Sequence, residues 1–128
     1  MFVDTSGWAH HRDAARLIKG ILRAGDTVLT SNYGLAELSA LLMSPLSVPG
    51  HLRLVLLTRI RSAAWVQIAH VDSDLDAASW DYLNSREDKE FSLVDCSSFV
   101  IMGKRRISDA LTADRHFEQA GYTRLLKL

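Results

Sequence analysis

Apolar residues recur along this chain with two different periods. Short runs rich in Val, Ile and Leu alternate with longer stretches in which apolar residues return every three or four positions. The first pattern belongs to buried strands and the second to amphipathic helices. Phe2-Val3 predicts a short strand ending at Asp4. A helix follows over 7–24, with Trp8, Ala15, Ile18, Ile21 and Leu22 as its apolar positions. Gly25-Asp26 is a turn, Thr27 to Thr30 predicts a second strand, and Ser31 is placed to cap a helix over 32–43. Both prolines fall within 44–50, which marks a loop. Helix 51–63, strand 65–71 and helix 75–84 come next, the last capped by Asp72 or Ser73. After a charged loop, a helix over 93–103, a strand over 107–112, a short helix opened by Asp114 and stopped by Gly121, and a strand over 123–127 complete the pattern.

Strand and helix in alternation predict an α/β fold with a central, mainly parallel sheet flanked by helices. The length of 128 residues suits one domain, 1–128, with its own core. Fifteen Lys plus Arg balance fifteen Asp plus Glu, which excludes a uniformly basic nucleic-acid coat protein but not a local basic face. A single cysteine, Cys96, excludes an internal disulfide and any metal motif of paired cysteines. No apolar run approaches the ~20 residues of a spanning helix, and the start is too acidic for a signal peptide. These features predict a soluble, cytoplasmic protein without membrane contact.

In a parallel sheet, ligand sites gather beyond the carboxyl ends of the strands. Asp4 closes the first predicted strand and Asp114 lies just beyond the fourth. Each has a structural alternative as a helix cap, and Asp95, in the first turn of its helix, is favoured there by the helix dipole. Glu37 interrupts an otherwise apolar helix whose neighbouring positions, Tyr33, Gly34, Ala40 and Leu41, offer it no cation. It therefore requires a cation, strong donors or a solvent-facing position. Were the four acids to converge, their mutual repulsion would call for a divalent cation, and an all-oxygen donor set favours Mg²⁺ or Mn²⁺ over Zn²⁺. Metal-assisted hydrolysis of a phosphodiester is the natural reaction of such a site.

The motifs around these acids resemble those of PIN-domain ribonucleases. Phe2-Val3-Asp4-Thr5-Ser6-Gly7-Trp8 resembles the family's opening, and Thr30-Ser31-Asn32-Tyr33 running into Leu35-Ala36-Glu37-Leu38 its second motif. The stretch from Asp88 through Leu93-Val94-Asp95-Cys96-Ser97-Ser98-Phe99 resembles the third. Ala110-Leu111-Thr112-Ala113-Asp114-Arg115-His116-Phe117, with Ala120-Gly121-Tyr122, resembles the fourth. VapC-like toxins of type II toxin–antitoxin pairs are the branch most similar. The resemblance implies a three-layer α/β/α domain and an acidic quartet of Asp4, Glu37, Asp95 and Asp114 that holds one or two Mg²⁺ or Mn²⁺ ions. It implies endonucleolytic cleavage of single-stranded RNA, with Ser6 and Ser98 in support. A homodimer and a cognate antitoxin that blocks the site are implied too. The passage between Asp4 and the second strand is shorter than is usual in that family. The alternative function is therefore a non-catalytic interaction module, or a degenerate toxin, on the same fold.

Other residues invite plainer readings. The five histidines show no zinc-like spacing, and His116 is read as packing or hydrogen bonding beside Phe117. Cys96 is read as a buried structural thiol, and Met43 and Met102 as core. The run Asp72, Asp74, Asp76 reads as a cap and a solvated face. Arg53, Arg59 and Arg61 share one predicted helix, and Lys104, Arg105 and Arg106 end another. Arg115, beside Asp114, has the better claim to an RNA phosphate. A phosphorylated receiver domain would need a second acid beside Asp4, where Thr5 stands.

Overall fold

Alternation along five short strands sets the layers of this molecule. The computed structural model describes residues 1–9 and 11–126, without the side chains of residues 9, 11–15 and 17. The chain runs β1 (Phe2–Val3), α1 (Thr5–Ala9), α2 (His11–Arg23), β2 (Val28–Ser31), α3 (Asn32–Met43), α4 (Gly50–Ser62) and β3 (Val66–Ala69). It continues through α5 (Ser73–Ser85), α6 (Leu93–Arg105), β4 (Asp109–Leu111), α7 (His116–Gln119) and β5 (Thr123–Arg124). The five strands form one sheet in the order β3-β2-β1-β4-β5, and every pairing is parallel.

Successive strand residues point to opposite faces. Phe2, Leu29 and Ala110 enter one core with Cys96, Phe99, Met102 and Phe117, the layer of α5 and α6. Val3, Val28 and Leu111 enter the other with Trp8, Leu35, Leu38 and Ile60, the layer of α1 to α4. Covering on both faces explains why these strands read as apolar runs rather than as alternating ones. It is the three-layer α/β/α arrangement that the resemblance implied.

The helix expected over 7–24 is found on both sides of residue 10, which lies outside the described residues, as α1 and α2, and it starts two residues earlier than expected, at Thr5. Contacts pin α1 in place. The Thr5 hydroxyl donates to the Gly34 carbonyl (3.2 Å), and the Trp8 indole N–H donates to Thr30 Oγ1 (3.4 Å). Gly7 lies so close to β4 that a Cβ there would stand 2.0 Å from the Leu111 carbonyl oxygen. By contrast, α2 packs through Ile18 and Ile21, while Leu22 is exposed. The expected helical position of Ala15 and the end of the last expected strand, at Lys127, lie outside the described side chains and residues respectively. β1 has its expected bounds, β2 lies one residue later than expected, and β3 and β4 are shorter than expected by one or two residues at each end. Ser31 and Asp72 cap as expected, their side chains accepting from the amides of Gly34 and Leu75. Met102 is core, but Met43 is 57% exposed at the end of α3, a correction to its reading as core. Length and apolar character predict burial only where a neighbouring element covers the position.

Gly7→Ala should destabilise the protein by about 3 kcal/mol or more, since the clash is with backbone that no rotamer relieves. Gly20→Ala, on α2 with open space around its Cβ, should instead stabilise it by about 0.5–1 kcal/mol. Urea unfolding of the two variants checks both signs.

Candidate active site

The sheet order turns back beside β1. From β1 the chain adds β2 and then β3 on one side, and later returns to lay β4 and β5 on the other. The reversal opens a crevice beyond the carboxyl ends of β1 and β4, where ligands bind in open parallel sheets. Asp4 follows β1 directly, and Thr112, Ala113 and Asp114 follow β4.

Asp4 is held by donors from both strand ends. Its Oδ1 accepts from the Ser6 hydroxyl (2.8 Å) and the Gly7 amide (2.9 Å), and its Oδ2 accepts from the Thr112 hydroxyl (2.9 Å). Ser6 Oγ accepts from the Ala113 amide (3.0 Å), and Thr112 Oγ1 from the Asp114 amide (3.0 Å). Two hydroxyls thus lock the loop that carries Asp114 to the carboxylate of Asp4. Burial pushes the Asp4 carboxyl up from 3.8 to about 6. The three donors pull against that rise, and the negative charge of Asp114 adds to it.

Asp95 arrives from the start of α6. It forms a capping box with Ser92: the Asp95 amide donates to Ser92 Oγ (3.0 Å), and Asp95 Oδ2 accepts from the Ser92 amide (3.1 Å). The same Oδ2 lies within hydrogen-bond distance of His116 Nδ1 (3.0 Å). That ring nitrogen lies 3.4 Å from Asp114 Oδ1, which also accepts from the His116 amide (2.9 Å). Asp95, Asp114 and His116 each offer one ligand atom, all within 4.8 Å of one another. The donor set fits a divalent cation: two carboxylates and an imidazole converge on one small volume, beside a third carboxylate whose ionisation burial disfavours.

The structure brings Asp95 and Asp114 together through His116, and links Asp4 to Asp114 through Thr112. Glu37 has no hydrogen bond or ion pair to that group among the described residues and is not among the three residues whose ligand atoms cluster. It is exposed on α3, one turn beyond Gly34, whose carbonyl is tied to Thr5. Ser98 is buried, and its hydroxyl donates to the Val94 carbonyl (3.2 Å) on its own helix. Arg115 is exposed beside Asp114 at the cap of α7. Arg53 donates to the Val48 carbonyl (3.0 Å), which commits it to the loop before α4. Lys104 follows Asp95 by nine residues on α6, so the basic cluster it begins lies about 13 Å away along the helix at 1.5 Å per residue. Cys96 is buried, and desolvation pushes its thiol up to about 11, which keeps it protonated and inert.

Sequence reasoning missed Thr112 and underrated His116. The spacing Asp114-x-His116 was available as a signal, because an Asp oxygen commonly accepts from the amide two residues on. The approach of Asp95, from 21 residues earlier, was not. Arg124 was missed as well. From β5 it pairs with Glu118 and donates to the Ala113 carbonyl (3.1 Å), bracing the Asp114 loop from behind.

With this geometry in view, comparisons with known proteins agree among themselves. The PIN domain family model matches residues 1–121. The 23S rRNA-specific endonuclease VapC20 of Mycobacterium tuberculosis is 34% identical over 127 residues, which cover 95% of each chain. Its crystal structure, described as that of a sarcin-ricin loop cleaving toxin, superposes with a TM-score of 0.79 at 33% identity and covers 97% of both chains. FitAcB from Neisseria gonorrhoeae superposes with a TM-score of 0.64 at 19% identity, covering 98% of this chain and 96% of that one, a likeness of fold alone. Since the VapC20 alignment spans 95% of each chain, the short passage after Trp8 does not set this chain apart in length from that relative.

The raised Asp4 carboxyl has a consequence for stability. Between pH 3.8 and about 6 the folded chain binds a proton there that the unfolded chain does not, so stability falls as pH rises through that window. Metal-free protein should lose roughly 3 kcal/mol from this source, since each pH unit across the window is worth ~1.4 kcal/mol. Asp4→Asn should flatten that part of the profile, and urea unfolding in chelator across the window measures it.

Proposed function

The chain belongs to the PIN-domain family, and from that premise we propose a metal-dependent, single-strand-specific endoribonuclease that acts as the toxin of a toxin–antitoxin pair. The observation that carries this reading is the convergence of Asp95, Asp114 and His116 within 4.8 Å, at the crevice where Asp4 also ends its strand. Composition and cysteine usage favour the cytoplasm. Among the described residues no helix is long and apolar enough to cross a membrane.

Asp4, Asp95 and Asp114 are the residues that would hold Mg²⁺ or Mn²⁺, with Glu37 completing the set from α3 or orienting the attacking water. Either ion, when bound, supplies a hydroxide nucleophile near neutral pH and offsets charge developing on the phosphoryl group. The chain's own residues do the positioning. Ser6 and Thr112 fix both oxygens of Asp4, and Thr112 also fixes the Asp114 amide. The capping box fixes Asp95. Ser98 supports the site at one remove, by holding the first turns of α6 through Val94. Arg115, exposed at the rim, is the proposed contact to an RNA phosphate, which places the strand without reading its sequence.

The proposed partners are RNA, a cognate antitoxin and a second copy of the chain. Support for a protein partner comes from the flank formed by the end of α3 and by α4. Met43, Leu46, Leu52, Leu54 and Val55 are between 44% and 67% exposed there, and apolar side chains gathered in this way mark an interaction surface. The naming of VapC20 for 23S rRNA and for the sarcin-ricin loop makes that RNA hairpin the first substrate to try.

Wild-type protein should cut a sarcin-ricin hairpin in Mn²⁺ and stop when the ion is chelated. Asp95→Asn and Asp114→Asn should each lower the rate at least about a hundredfold, as loss of a transition-state electrostatic group does, with unchanged thermal unfolding in chelator. Gel-resolved cleavage with the three proteins side by side is the measurement, and equal cleavage by a variant would defeat the assignment.

A further inference from the structure

His116 is built into the site more firmly than a packing residue needs to be. Its backbone amide donates to Asp114 Oδ1 (2.9 Å), which sets ring and carboxylate side by side. Its ring stands edge-on to Phe91, with centroids 5.6 Å apart and planes at 75°, which fixes the plane of the imidazole. Nδ1 then faces oxygens of two different acids, Asp95 at 3.0 Å and Asp114 at 3.4 Å. One Nδ1 proton serves one of these acceptors well, not both. The approach to Asp114 is set locally by that amide bond, whereas Asp95 is brought to the same ring nitrogen from 21 residues earlier. The three atoms occupy corners of one small volume, as ligands to a single ion do.

We infer that His116 is a nitrogen ligand of the bound divalent ion, through Nδ1, and that it biases the site toward Mn²⁺ over Mg²⁺. The chemistry follows from donor type. Mg²⁺ prefers oxygen donors in near-ideal octahedral geometry. An imidazole nitrogen raises affinity for first-row transition ions relative to Mg²⁺. The partly exposed setting of the ring, with its side chain 29% accessible, leaves room for the remaining positions to be filled by water.

This inference rests on the nuclease reading above, and the test separates the two. Full-length wild-type protein is loaded with Mn²⁺ and studied by pulsed electron paramagnetic resonance, with natural-abundance and ¹⁵N-histidine-labelled samples. A histidine nitrogen coupling that changes with the label, and that is lost in His116→Asp while Mn²⁺ stays bound, is the expected result. Calorimetric titration with Mn²⁺ and Mg²⁺ should show the ratio of their affinities falling roughly tenfold in His116→Asp, in line with the 10–100-fold cost typical of disturbing a metal's supporting groups. Bound Mn²⁺ without nitrogen coupling in the wild type, or equal weakening of both ions in the variant, overturns the ligand role and leaves the nuclease standing. Failure of the wild type to bind Mn²⁺ overturns both. Absence of nitrogen coupling in the labelled wild-type spectrum overturns the ligand role even if the variant does not fold, and His116→Gln then serves as the second variant that assigns a coupling to this residue.

Discussion

A carboxylate that the fold makes expensive to ionise organises this molecule. Asp4 sits where the first strand ends, and burial there disfavours its charge. Three donors from two separate stretches of chain answer that cost, and each is itself held in place. Ser6 and Thr112 tie the ends of β1 and β4 into one unit through the amides of Ala113 and Asp114. Gly7 lets α1 lie flush against β4, since a Cβ at that position would meet the Leu111 carbonyl. The alignment of the two central strands, the direction of the first helix and the placing of the last acid therefore depend on one another.

Each acid of the crevice has a structural role beside its proposed chemical one. Asp4 caps α1, Asp95 completes a capping box on α6, and Asp114 accepts from the amide that opens α7. Helix starts and parallel strand ends meet on the same edge of an α/β sheet, so residues selected as caps are delivered to the ligand crevice without further device. Capping and the proposed ligation do not compete in principle, since a carboxylate has lone pairs beyond those its capping bonds use.

The rest of the surface divides accordingly. The crevice lies beyond the carboxyl ends of the central strands, with exposed Arg115 at its rim. The basic cluster of Lys104, Arg105 and Arg106 sits at the far end of α6. Among the described residues, most of the large apolar side chains that remain uncovered lie around the end of α3 and along α4, with Leu22 on α2 and Trp80 on α5 apart from them. The proposed chemistry and the proposed association thus fall on separate parts of the surface.

Sequence alone determined the α/β class, the parallel sheet, the caps Ser31 and Asp72, and Asp4, Asp95 and Asp114 as acids at strand or helix ends. These are local or periodic features, and hydrophobic spacing and capping chemistry act over a few residues. The inertness of Cys96 followed as simply, from an apolar helix with no base placed to activate it. Tertiary structure alone decided how closely α1 seats on β4, through the contact of Gly7 with Leu111 on a strand far along the chain. It also decided the exposure of Met43 and the double bond of Thr112 to Asp4 and Asp114. Above all it decided the position of His116. One partner of that imidazole is two residues away and legible, whereas the other is 21 residues away and is brought to it by the packing of Phe91 and Phe99 beneath α6 and α7. Patterns of neighbouring residues specify elements, but which elements share an edge of the sheet is settled by burial of both its faces, and the site exists only at that level.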